Sequence, residues 1–183
     1  MSADGTLAWS APESGKWTIL RIGNVNAGEK NGPAPEEGTG WECDKLSTEG
    51  PEVHYAGYIG RLTSGVLQGG KLNSLLLDSW ECRTQMWTMK MEQEFSERKG
   101  YELRRWMPAL LGYTMDNPET TTRFLLDWRG VVGDLFANKF YRRMAELGHE
   151  QGLDVIYETA AGDVFPADIM EYFKYADVPM CEF

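Results

Sequence analysis

The sequence predicts an α/β fold, a partial barrel of about four parallel strand–helix units. Three observations carry this. Short aliphatic or β-branched runs at residues 15–25, 72–81, 153–160 and 177–183 are bounded by Gly, Asn or Pro. Amphipathic stretches with apolar residues three and four apart lie between them. Strands that alternate with helices pair in parallel, and the helices cross over with a right hand. No internal repeat and no dividing linker is visible, so the 183 residues form one segment, with residues 1–14 as a flexible or incoming stretch.

In chain order, Trp17, Ile19 and Ile22 mark the first strand. Residues 26–40 are rich in Gly, Pro and Asn and form a loop, long enough to suggest a function. Ser47 or Thr48 caps a helix whose stripe is Val53, Tyr55, Tyr58, Ile59 and Leu62. A buried strand follows at residues 72–81. An amphipathic helix at 88–100 stops at Gly100, and a shorter one at 102–112 is broken by Pro108. The longest helix starts at Pro118, ends near Gly152 and buries Phe124, Leu125, Trp128, Val131, Leu135, Phe136, Phe140 and Met144. A strand at 153–160, a short helix at 166–176 and a last strand close the chain.

Composition narrows the function. Eighteen basic against 28 acidic residues leave a net charge of −10, which disfavours nucleic acid and anionic membrane as partners. No apolar run reaches membrane-spanning length, and residues 1–17 lack the basic start and apolar stretch of a secretory signal. Three cysteines without CxxC spacing and two histidines argue against a disulfide framework and a structural zinc site.

Acidic residues fall at strand ends: Glu81, Glu158 and Glu182, with Asp78 just upstream of Glu81. Parallel strands bring such ends to one face, where (β/α)8 enzymes place their active sites. Clustered carboxyls push at least one pKa up unless a cation intervenes, which suits acid–base hydrolysis or calcium binding. Arg21 belongs to the same mouth, as a sugar ligand or an ion-pair partner. Asp44 and Lys45 position substrate or fix the loop before the first helix. Trp80 and Trp87 flank the Glu81 loop, one for stacking on a sugar and the other for packing. Cys82 and Cys181 alternate with the glutamates and are expected behind the sheet. His54 and His149 receive no catalytic role.

The segments "WTILRIGNVNAGEKNGPAPEEGTGWECDKLS", "DSWECRTQMWT", "RFLLDWRGVVGDLFANKFYRRMAELGHEQGL" and "ADVPMCEF" resemble signature segments of glycoside hydrolase family 106, over roughly residues 17–183. That family consists of large bacterial α-L-rhamnosidases. The resemblance implies a (β/α)8 (TIM) barrel, inversion of configuration, and a calcium cofactor that helps hold the rhamnose hydroxyls. It implies Glu81 and Glu182 as the catalytic pair and Glu158 as a metal ligand. It implies a rhamnose-containing carbohydrate, a plant or bacterial polysaccharide, as substrate, and a periplasmic or secreted bacterial parent enzyme. "QMWT" stands where the family more often has "QNWT", and "RIGNVNAG" where "RFGYTTTG" is usual. A full barrel needs about 250 residues. The chain is therefore expected to be a segment of a longer polypeptide, to need the remainder of it as a partner, and to be inactive alone.

Overall fold

A computed structural model describes residues 2–26, 28, 30–32, 34–70, 72–79, 85–159 and 167–181. The strands β1 (Ser74–Leu77), β2 (Asp154–Thr159) and β3 (Val178–Cys181) form one parallel sheet in the order β1-β2-β3. Leu75 pairs with Val155 and Leu77 with Tyr157; Glu158 pairs with Met180. Parallel pairing is as expected, but the count is not: three strands, not four, are present among the described residues. Residues 15–25 pair with no strand, and Trp17 and Ile19 lie 47% and 61% exposed. Their residue types suit a half-buried pleated surface, yet a strand forms only where a neighbour accepts its backbone hydrogen bonds.

The first helical region is two helices, α1 (Glu49–Gly57) and α2 (Ile59–Ser64), parted at Tyr58. Ser47 starts it, its hydroxyl accepting from the Gly50 amide at 3.2 Å. The predicted stripe is only partly right. Tyr55 is buried and Ile59 packs on the core, whereas Val53 and Tyr58 face outward. Helix α3 (Met91–Lys99) stops at Gly100, whose φ of 76° is the left-handed cap that glycine adopts freely. Pro108 does not break the next segment. Residues Arg104–Leu111 wind as one 3₁₀ stretch with Pro108 inside it.

The long helix runs as α4 (Pro118–Leu135), a π-helical segment (Phe136–Tyr141) and α5 (Arg142–Glu150). The Asn117 side chain caps α4 by accepting from the Thr120 amide at 2.9 Å, with Pro118 in the first turn. The rod serves two cores. Phe124, Trp128, Val131 and Leu135 pack with Leu46, Met91, Phe95 and Leu103. From the end of the π segment onward, Tyr141, Met144 and Ala145 pack with Leu75, Val155, Tyr157 and Tyr172, the last from α6 (Ile169–Phe173). The Tyr141 and Tyr172 rings stack with centroids 4.1 Å apart. Burial pushes the Tyr157 phenol up, and its hydroxyl donates to the Tyr141 carbonyl.

The two faces of the sheet differ. Leu75, Val155 and Tyr157 are buried against the helices. The opposite face carries Leu76, Ile156, Val178 and Met180, and Leu76 is 53% exposed. An apolar sheet face left open is unusual, because both faces of parallel sheets are normally covered.

Candidate active site

Strand register builds the site. Leu77 stands beside Tyr157, so the next residue, Asp78, stands beside Glu158 at the C-terminal ends of β1 and β2. Both belong to the open face by strand alternation. A side-chain hydrogen bond joins the two carboxyls. Together with the Ser79 amide, which donates to Asp78 Oδ1 at 2.8 Å, it holds Asp78 below the ordinary carboxylate range. Met180 of β3 is Glu158's other neighbour.

Of the expected acids, Glu158 is therefore at a strand end with a carboxyl partner. Glu81 and Glu182, and Trp80 with them, lie outside the described residues. Asp78 both supports its neighbour and binds the turn after β1.

A second polar centre lies where the chain enters α1. Asp44 Oδ1 accepts from the Leu46 amide at 3.0 Å and from Gln85 Nε2 at 2.7 Å; Oδ2 accepts from the Thr88 hydroxyl at 2.6 Å. Gln85 Oε1 in turn accepts from the Lys45 amide at 2.9 Å. The fixing role foreseen for Asp44 is thus present. Lys45 is 7% exposed, pairs with Glu42 and stands with its ammonium 5.8 Å from the Phe140 ring centroid. Gly50 permits this close entry, since a Cβ there would lie 2.0 Å from the Asp44 carbonyl oxygen.

Trp87 is half-buried, packs on the first core and lies 6.2 Å from the Trp128 ring. Arg21 is exposed on the unpaired stretch. The Cys43 thiol is pushed up by burial. His54 is exposed, and His149 meets Asp177 at 2.8 Å.

Calcium takes six to eight oxygen ligands. Asp78 and Glu158 supply two carboxyls, and no cluster of three or more His, Cys, Asp or Glu that could hold a metal exists among the described residues. The described residues do not by themselves fit that ion.

Sequence reasoning missed Gln85 and Asp177. Asp177 extends the ladder ahead of β3: its amide donates to the Val155 carbonyl at 2.9 Å, and its carboxylate accepts from the Val155 amide at 2.7 Å. A polar residue just ahead of a short apolar run was the only signal for either.

A family model described as α-L-rhamnosidase, glycoside hydrolase family 106, matches residues 1–183. A Formosa agariphila protein provisionally named a β-glucuronidase is 40% identical over 181 residues, 98% of this chain and 15% of that protein. The solved structure of a rhamnosidase from Novosphingobium sp. PP1Y superposes with a TM-score of 0.75 at 35% identity, over 81% of this chain and 14% of the other. The chain thus spans about one seventh of the length of either relative. On the whole-chain match, it belongs to glycoside hydrolase family 106.

Proposed function

We propose that this chain forms the catalytic end of an inverting α-L-rhamnosidase barrel that removes terminal rhamnosyl residues from a plant or bacterial polysaccharide. The supporting observation is the delivery of carboxyls to one end of a parallel sheet. Asp78 and Glu158 meet there on the open face. In the sequence, Glu182 follows Met180 by two residues and Glu81 follows β1 by four. Glu81 acts as general acid and protonates the leaving oxygen; Glu182 acts as general base on water. Such a pair needs about 6.5–9.5 Å between its carboxyls to admit that water. Arg21, Lys45 and Trp80 contact the sugar, while Trp87 packs on the first core.

The open apolar face supports the barrel reading. Residues such as Leu76 and Met180 become interior once further strands of the parent polypeptide close the barrel. The 183-residue chain alone accordingly turns over no rhamnoside, because carboxylates must be held to a fraction of an ångström.

The test compares the chain and its parent polypeptide on an aryl α-L-rhamnoside. Glu81→Gln and Glu182→Gln in the active form should each lower kcat by about 10²-fold or more, with inverted product by NMR in the unsubstituted enzyme. Near-normal turnover in either variant, or retained configuration, refutes the assignment. The name of the Formosa relative supports a second reading, a glucuronide substrate, so an aryl β-glucuronide belongs in the same assay.

A further inference from the structure

Residues 15–25 pair with no strand of the sheet, but part of this stretch has a neighbour close by in sequence. The ring centroids of Trp9 and Trp17 lie 5.6 Å apart, edge to face. A Cβ built at Gly5 would lie 3.5 Å from Arg21 Nη1. Trp9 and Trp17 are each four residues from Glu13, and Gly5 and Arg21 each eight. Both contacts thus fall on one antiparallel register that folds back at Glu13. The chain bends through residues 12–15, which include the turn formers Pro12 and Gly15. The Trp17 indole N–H donates to the Glu13 carbonyl at 3.2 Å and ties the bend to the second arm.

That register sets Leu7 opposite Ile19, beside the tryptophan pair. Side chains alternate along an extended arm, so these four share one face. They are between 45% and 61% exposed. The opposite face carries Thr6, Ala8 and Ser10 on one arm and Lys16, Thr18 and Leu20 on the other, and is mostly polar. Such alternation marks an antiparallel ribbon with one face directed at a core. Among the described residues no backbone hydrogen bond joins the two arms. An isolated two-stranded hairpin is marginal in water, and a third strand or a packed surface completes it.

We propose that residues 5–21 form an antiparallel β-hairpin separate from the parallel sheet, and that its apolar face, Leu7, Trp9, Trp17 and Ile19, docks on an apolar surface in the remainder of the parent polypeptide. The proposal rests on the reading of this chain as one segment of a longer protein. The chain spans 15% and 14% of its two relatives, so each of them carries several times more chain on which such a face can pack. A sugar suits the face less well. The two indoles cross at 72° and offer no common plane for a sugar ring. Leu7 and Ile19 add aliphatic surface without a hydrogen-bonding group for hydroxyls.

Hydrogen exchange read by mass spectrometry compares the 183-residue chain with the parent polypeptide. The slowest amides of each arm, residues 5–10 and 16–21, should exchange about 10²-fold more slowly in the parent, because the ladder closes once the face is covered. Equal rates in the two proteins overturn the docking. Protection of residues 16–21 alone overturns the hairpin, since that arm would then belong to another sheet. Protection that appears in the 183-residue chain as its concentration rises makes a second copy the occupant. Protection in the parent that requires added L-rhamnose makes the occupant a sugar. Either result overturns the proposal.

Two cysteine pairs in the parent check the register. Opposed antiparallel residues have Cα atoms about 4.5–5.5 Å apart, within disulfide reach, whereas diagonal neighbours are too distant. Ala8→Cys with Thr18→Cys, on the polar face, should oxidise to a disulfide found by peptide mapping, and Ala8→Cys with Leu20→Cys should not. Absence of the first bridge, or equal yields of the two, overturns the register. Trp9→Ser in the parent should speed exchange of residues 16–21 by about tenfold, and Ala8→Ser, on the other face, by no more than about threefold. Equal effects overturn the choice of face. None of these readouts uses activity, so their failure is distinct from failure of the proposed rhamnosidase function.

Discussion

Gly148 is where α5 comes down on β2. A Cβ built there lies 2.8 Å from Cγ1 of Val155, which is fully buried. Real carbon pairs sit at about 3.5–4.0 Å, so Gly148→Ala must push the helix away or twist Val155. Overpacking of this kind costs about 1–3 kcal/mol. Alanine recovers about 1 kcal/mol through its higher helix propensity, leaving a net loss of about 0–2 kcal/mol. The net value alone is a weak test, so the clash is best isolated with a second substitution. Val155→Ala removes the opposing methyl at a cost of about 2 kcal/mol. In that background Gly148→Ala should instead stabilise, by about 1 kcal/mol. The coupling between the sites is then about 1–3 kcal/mol. Urea unfolding followed by far-UV circular dichroism measures all four proteins. A Gly148→Ala effect that is the same in both backgrounds would refute the reasoning, since the cost would then not come from Val155.

Asp177→Ala strips the acceptor from the Val155 amide and should cost about 1–3 kcal/mol, whereas Asp177→Asn, which keeps one oxygen, should cost less in the same unfolding assay. The Val155 amide and then His149 hold Asp177 below the ordinary carboxylate range. Its contribution is therefore complete above the unfolded value of about 3.9 and lost as pH falls through the lower folded value. Asp177→Asn should flatten that part of the stability–pH curve, and an unchanged acid limb would contradict it. Asn117→Ala removes the cap on the Thr120 amide and should lower stability by about 1 kcal/mol, or about 2–4 °C in Tm, with Asn117→Asp recovering most of it by thermal unfolding.

Legibility followed the range of the interactions. The cap at Asn117, the stops at Gly100 and Gly152, and the stripe from Phe124 to Met144 rest on contacts within a turn or two. Each could be read where it stands. The strand drawn through residues 15–25 failed for the opposite reason. Its residue types were suitable, but pairing depends on a partner elsewhere in the chain, and none of the described strands takes it. The π segment at Phe136–Tyr141 has no period of its own, and along it the rod passes from one core to the other.

The site divides in the same way. From the sequence alone came the α/β alternation, the acids at strand ends, the acidic charge that disfavours nucleic acid, and the family resemblance. Asp44 had two readings there, and nothing local separated them. Only the tertiary structure decided that Asp78 would stand beside Glu158, across 80 residues of chain, and that Gln85 would reach Asp44 across 41. Hydrophobic periodicity is repeated along a helix or strand and so survives in one dimension. A single hydrogen bond between distant side chains leaves no period, and it becomes definite only when strand register and helix packing fix where two loops meet.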